Sequence, residues 1–198
     1  MSTFRLKPIG ISPKDGRRPA ASCVTLRDEP ITGTAYAVPV SKKQGQIYGA
    51  GAFQFYGGKR AERMGALLAS LIDRDDVTCF GNDWSGVIYF AVSDDPSNTV
   101  FAFDVPSGEV GDICSLDEFN DDLDSGGIVD FVGGDGFDQW RAATGTVELA
   151  MGTFVPTVDY VFDGGDASER AIEATDIHDY LLVVAAELAV RAEGAPDQ

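Results

Sequence analysis

The side chains able to do chemistry in this 198-residue chain are mainly carboxylates, gathered in acid-rich stretches such as "DEFNDDLDSGG", "GGDGFD" and "FDGGD". Oxygen ligands at that density suit calcium or magnesium, and a pair of acids across a cleft suits glycoside hydrolysis. A twelve-residue calcium loop needs oxygen ligands at alternating positions and a Glu at the twelfth. Started at Asp122, that frame places Gly126 fifth and Gly133 twelfth, so it fails. Solvated turn acids are therefore expected, with no metal and no cofactor.

Other reactive types are sparse. His178 is the one histidine, which leaves no histidine pair for a metal or for acid–base work. No G-x-S-x-G elbow is present, and "YGGKR" lacks the first glycine and the Ser/Thr of a phosphate-binding loop. Cys23, Cys79 and Cys114 are widely spaced without a C-x-x-C, so buried thiols are expected rather than a disulfide framework or a zinc site. A non-catalytic protein is the reading that results. A carboxylate-dependent hydrolase stays open as an alternative.

Charge is distributed unevenly. Residues 1–74 hold 12 Lys/Arg against 5 Asp/Glu, whereas residues 75–198 hold 3 against 27, and the chain carries −17. Such a field repels nucleic acid and attracts a basic partner, raising its association rate. It also suits a nucleic-acid mimic that occupies a DNA-binding protein. No stretch approaches the roughly 18 apolar residues of a membrane span, and "MSTFRLKPIGISPK" has no apolar signal-peptide centre. A cytoplasmic protein without membrane contact is expected.

The elements that position these groups follow from hydrophobic periodicity. Residues 1–46 are basic and proline-rich, which points to short strands such as "SCVTL" and "GTAYAVPV". The glycine- and aromatic-rich "QIYGAGAFQFYGG" reads as a bent strand. Residues 59–73 place Met64, Leu67, Leu68, Leu71 and Ile72 on one helical face, with Lys59, Arg60 and Arg63 in or near the first turn. "VTCF", "GVIYFAV" and "TVFAFDV" predict an antiparallel meander, with both faces of the middle strand apolar. Ser115 and Glu118 form a capping-box pattern ahead of a short helix with Leu116, Phe119 and Leu123 inward. From 125 onward, short strands between Gly and Asp turns are expected.

A last helix is predicted after Thr175 or Asp176, with a stripe of Ile177, Tyr180, Leu181, Val184 and Leu188. Leu182 and Val183 widen that stripe, which suggests burial on two sides or a homodimer contact. The fold class is thus α+β in a single domain: an antiparallel sheet packed by an amphipathic helix, with extra N-terminal strands and a C-terminal helix.

The order and motifs from "YGAGAFQF" through "VTCFGNDWSGVIYFAV" and "NTVFAFDVPSGEV" to "ICSLDEFNDDL" resemble the SUKH superfamily of bacterial toxin-immunity proteins. They are also similar to immunity proteins of secreted DNA-modifying toxins. Tyr48, Gly49 and Gly51 sit at a Y-G-x-G strand, and Phe80, Gly81, Asp83 and Gly86 at an F-(G/A)-x-(D/N)-x-x-G turn. Val100, Phe103, Asp104, Gly108, Glu109 and Val110 match a strand and turn ending G-E-V, and Ser115, Leu116, Glu118 and Phe119 match the closing helix. The resemblance covers about residues 47–124. It implies a non-catalytic protein that binds and neutralises a basic nuclease- or deaminase-like toxin domain.

The expected partner-binding residues are Asp83, Trp84, Asp94, Asp95, Asp104, Glu109, Asp112, Asp117, Asp121 and Asp122. The acids would speed encounter while a few buried anchors, Trp84 or Tyr89, hold the complex.

Overall fold

The computed structural model describes residues 45–93, 95–157 and 169–194. The strands expected within residues 1–44 therefore lie outside the described residues, as does Asp94.

Six strands form one antiparallel meander in chain order: β1 (Ile47–Tyr48), β2 (Phe53–Phe55), β3 (Val77–Asp83), β4 (Val87–Val92), β5 (Thr99–Asp104) and β6 (Glu109–Ser115). The β-branched and aromatic runs of β3, β4 and β5 suit a sheet covered on both sides, and Ile88, Tyr89, Phe90, Ala91 and Val92 are all buried. Tyr89 faces Ala102 and Val87 faces Asp104 across the β4–β5 pair, so these four residues share one face. On β6, Glu109 stands opposite Asp104 and Gly111 opposite Ala102.

Helix α1 (Gly58–Leu71) packs against β3. Met64, Leu68 and Leu71 are buried, as the three-and-four spacing predicts. Leu67 and Ile72, expected inward with them, are only half-buried. Ile72 already lies beyond the last turn, at φ −98°, ψ 8°, and Asp73 has φ 53°, so the chain turns away there.

Helix α2 (Leu116–Ser125) starts with the predicted capping box. The Ser115 hydroxyl accepts from Glu118 N at 3.3 Å, and Glu118 Oε2 accepts from Ser115 N at 2.9 Å. Leu116, Phe119 and Leu123 are buried, as expected. Phe119 and Phe131 contact the Tyr89 ring, which places this helix and the next turn against the Tyr89 face of the sheet.

Of the short strands expected after residue 125, those over "SGGIVDFVGGDGFDQW" are replaced by helices α3 (Ile128–Phe131) and α4 (Gly134–Thr144), while one forms further on, at Thr153–Phe154. The glycines that read as strand breaks delimit these helices: Gly126, Gly133 and Gly145 all adopt left-handed φ of 72° to 84°. Phe137 and Trp140, one turn apart on α4, stack with ring centroids 6.0 Å apart.

The chain then forms a small two-stranded sheet, β7 (Thr153–Phe154) with β8 (Thr175–Asp176), and ends in helix α5 (Ile177–Gly194). Asp176 Oδ1 accepts from His178 N at 2.9 Å, so Asp176 is the residue that caps α5. Ile177, Leu181 and Val184 are buried, while Leu182 and Val183 remain 48% and 43% exposed.

Fully buried Gln54 joins this region to the main sheet, since its Nε2 donates to Thr153 O at 2.9 Å and its Oε1 accepts from Gly152 N. Among the described residues, no helix is long and apolar enough to cross a membrane.

Candidate functional site

The β3–β4 connection is built around one carboxylate. Asp83 Oδ1 accepts from Ser85 N, Gly86 N and Val87 N at 2.9 to 3.0 Å and from the Ser85 hydroxyl at 2.8 Å. Its Oδ2 accepts from the Tyr89 hydroxyl at 3.0 Å. A short acidic side chain that captures successive backbone N–H groups is what fixes such a turn. Burial pushes the Asp83 carboxyl up to about 6, opposed by these hydrogen bonds. The same burial, followed by the nearby Asp83 charge, holds the Tyr89 phenol well above its ordinary value.

Asp83 and Trp84 were expected to face a partner, and the structure buries both. Asp83 is 3% exposed and its oxygens are engaged within the turn. Trp84 is 8% exposed: its indole N–H donates to Val132 O at 2.9 Å, and its ring lies 5.5 Å from that of Phe137. Tyr89, the other expected anchor, is buried beneath Phe119 and Phe131.

The remaining expected residues separate by location. Asp95 is half-buried and accepts from Ser97 N and Thr99 N, which hold its carboxyl below the usual range and make it a turn residue. Glu109 and Asp112 are exposed on β6, Asp117 and Asp121 are exposed on α2, and Asp122 is half-buried there. Asp104 is half-buried, with the Ser107 hydroxyl donating to its Oδ2. Burial raises the Asp104 carboxyl, and Ser107 works against that shift.

Three of these acids meet in one place. Asp83, Asp104 and Glu109 line a groove of about 470 Å³, together with Val87, Tyr89, Ile113 and Phe131. Ile113 and Phe131 are 37% and 41% exposed, so the groove combines apolar walls with carboxylates.

Sequence reasoning missed Arg170. Its guanidinium donates to Ser85 O at 3.0 Å and Val155 O at 3.2 Å and lies 5.3 Å from the Trp84 ring centroid. Burial lowers its pKa, while Asp83 and Asp104 oppose that shift. Its rarity was the available signal, because it is one of 3 Lys/Arg in residues 75–198.

A second cluster sits at the start of α5, where ligand atoms of Asp176, His178 and Asp179 lie within 4.8 Å of one another. Arg63 Nη2 is 3.2 Å from His178 Nδ1, and Arg60 Nη1 is 3.7 Å from Asp176 Oδ2. Two guanidinium groups thus already supply the positive charge that a metal ion would bring. The basic first turn of α1 finds its acidic counterpart in this cluster.

In comparison with known proteins, no family model matches the chain, and no curated protein or solved structure matches it.

Proposed function

We propose that this protein is a non-catalytic immunity protein that acts in the cytoplasm by binding a basic toxin domain. The observation that carries the reading is the number of exposed carboxylates on the consecutive elements β6 and α2: Glu109, Asp112, Asp117, Glu118 and Asp121. Glu109 among them lines the groove in which Ile113 and Phe131 are exposed.

Asp117 and Glu118 suit the first turn of α2, but folding gives no such reason for Glu109, Asp112 and Asp121, since like charges repel. A basic protein surface would be steered by the acids and held by the apolar groove, the usual division between rate and residence. The SUKH-like motifs of residues 47–124 suggest a nuclease- or deaminase-like toxin as the source of that surface. The most perturbed carboxylate, Asp83, is committed to turn hydrogen bonds, which supports a binding role over a hydrolytic one.

Stopped-flow mixing with the cognate toxin domain tests this. Replacing Asp112, Asp117 and Asp121 together with Asn is expected to slow association about tenfold at low ionic strength and to flatten its salt dependence. Unchanged association, or failure of the wild-type chain to neutralise the toxin, overturns the reading.

A further inference from the structure

Among the described acids, Asp104 and Glu109 stand apart because they occupy directly opposed positions on β5 and β6. Like charges opposite one another in a ladder destabilise the pair. Both line the groove. Asp104 is held half-buried with the Ser107 hydroxyl donating to it, and burial raises its carboxyl.

Arg170 offsets part of this repulsion, since its charge favours the ionised Asp104 carboxyl. Arg170 is drawn electrostatically to Asp83 and Asp104, yet its Nη1 donates to the Ser85 and Val155 carbonyls and its guanidinium covers Trp84.

The other walls suit the stem and face of a long cationic side chain. Phe131 offers an accessible ring, Tyr89 lies beneath it at a centroid distance of 6.3 Å and an interplanar angle of 52°, and Ile113 and Val87 add aliphatic surface. Aromatic faces attract cations, and apolar walls cover the methylenes of Lys or Arg while the charge reaches an acid. A groove of about 470 Å³ has room for one such side chain and some water.

We propose that this groove is a cation-selective subsite that receives one Arg or Lys side chain of the basic partner, with the stem against Phe131 and the charge between Asp104 and Glu109. The identity of the macromolecule rests on the proposed toxin-binding function, whereas the selectivity of the groove is measurable without it.

The test uses the full chain and N-propylguanidine as probe, with N-propylurea as its neutral isostere. Titration followed by NMR is expected to give saturable shifts of the Ile113 methyl and Phe131 ring resonances, with half-saturation on the order of 1 to 10 mM. The urea should bind at least about tenfold more weakly, because it lacks the charge.

Glu109→Gln, an exposed substitution, should weaken guanidine binding about threefold and Asp104→Asn combined with it about tenfold, while Asp117→Asn with Asp121→Asn should have no effect. Equal binding of urea and guanidine overturns the proposal. So does no saturable binding by about 100 mM, including through prior occupation of the groove by a Lys or Arg of residues 1–44, or indifference to Glu109→Gln. Toxin association is scored separately in the variant of Asp112, Asp117 and Asp121, so either idea can fail without the other.

Discussion

The Tyr89 hydroxyl donates to Asp83 Oδ2 at 3.0 Å, while Oδ1 of the same carboxylate gathers the backbone N–H groups of Ser85, Gly86 and Val87. One side chain therefore ties the start of β4 to the turn that precedes it. With a folded value of about 6 against roughly 3.9 for an unfolded Asp, the native state binds more protons between those values. Stability from this group is then greatest below about pH 4 and falls as pH rises toward 6, by an amount on the order of 3 kcal/mol. Asp83→Asn should remove this component, so urea unfolding of wild type and variant at pH 4 and pH 7 should show different pH slopes. Identical slopes would mean that Asp83 does not titrate differently in the folded state.

Tyr56 offers the opposite case, a fully buried hydroxyl for which no hydrogen-bond partner is found among the described residues. A buried unpaired polar atom costs free energy, so Tyr56→Phe is expected to leave stability unchanged or to raise it by about 1 kcal/mol. A loss of that size in chemical denaturation would reveal a partner for the hydroxyl.

Leu68 is fully buried on α1, whereas its neighbour Leu67 is half-buried. Leu68→Ala should cost about 2 to 5 kcal/mol, and Leu67→Ala clearly less, because the residual cavity adds to the lost burial. Equal losses at the two positions would contradict the orientation of the helix.

At the start of α2 the Ser115 hydroxyl accepts from Glu118 N while the Glu118 carboxylate accepts from Ser115 N and from the Ser115 hydroxyl, so Ser115 holds the Glu118 carboxyl below the usual range. Ser115→Ala should cost about 1 kcal/mol at neutral pH. Because the folded value is depressed, the contribution of Glu118 is present above its ordinary pKa and is lost as pH falls through the folded one. The penalty of Ser115→Ala should accordingly shrink in acid, as read by thermal unfolding at pH 7 and pH 3. A penalty independent of pH would argue against the reciprocal cap.

The parts legible in the sequence are those whose pattern is local. Met64, Leu68 and Leu71 repeat at helical spacing, the β3–β5 runs are β-branched and aromatic, and Ser115 with Glu118 states a helix start outright. The segment after Gly126 was misread because glycine breaks a strand and closes a helix equally well, and only φ distinguishes the two. Asp83 and Trp84 looked exposed because they sit in a polar turn. Their cover comes from far along the chain, from Val132 O for the Trp84 indole and from Arg170 over its ring. The groove was invisible for the same reason, since Val87, Ile113 and Phe131 meet only through the order of the sheet and the placement of α3.

Strand β6 ends the meander, and among the described residues it pairs only with β5. A seven-residue edge of this kind is a template on which a second copy could extend the sheet, the first step of aggregation. Glu109 and Asp112 stand exposed on it, so two copies approaching edge to edge bring carboxylate against carboxylate. Concentrated salt would mute that repulsion and leave the edge open to self-association, whereas at low salt the same charges give the molecule colloidal stability.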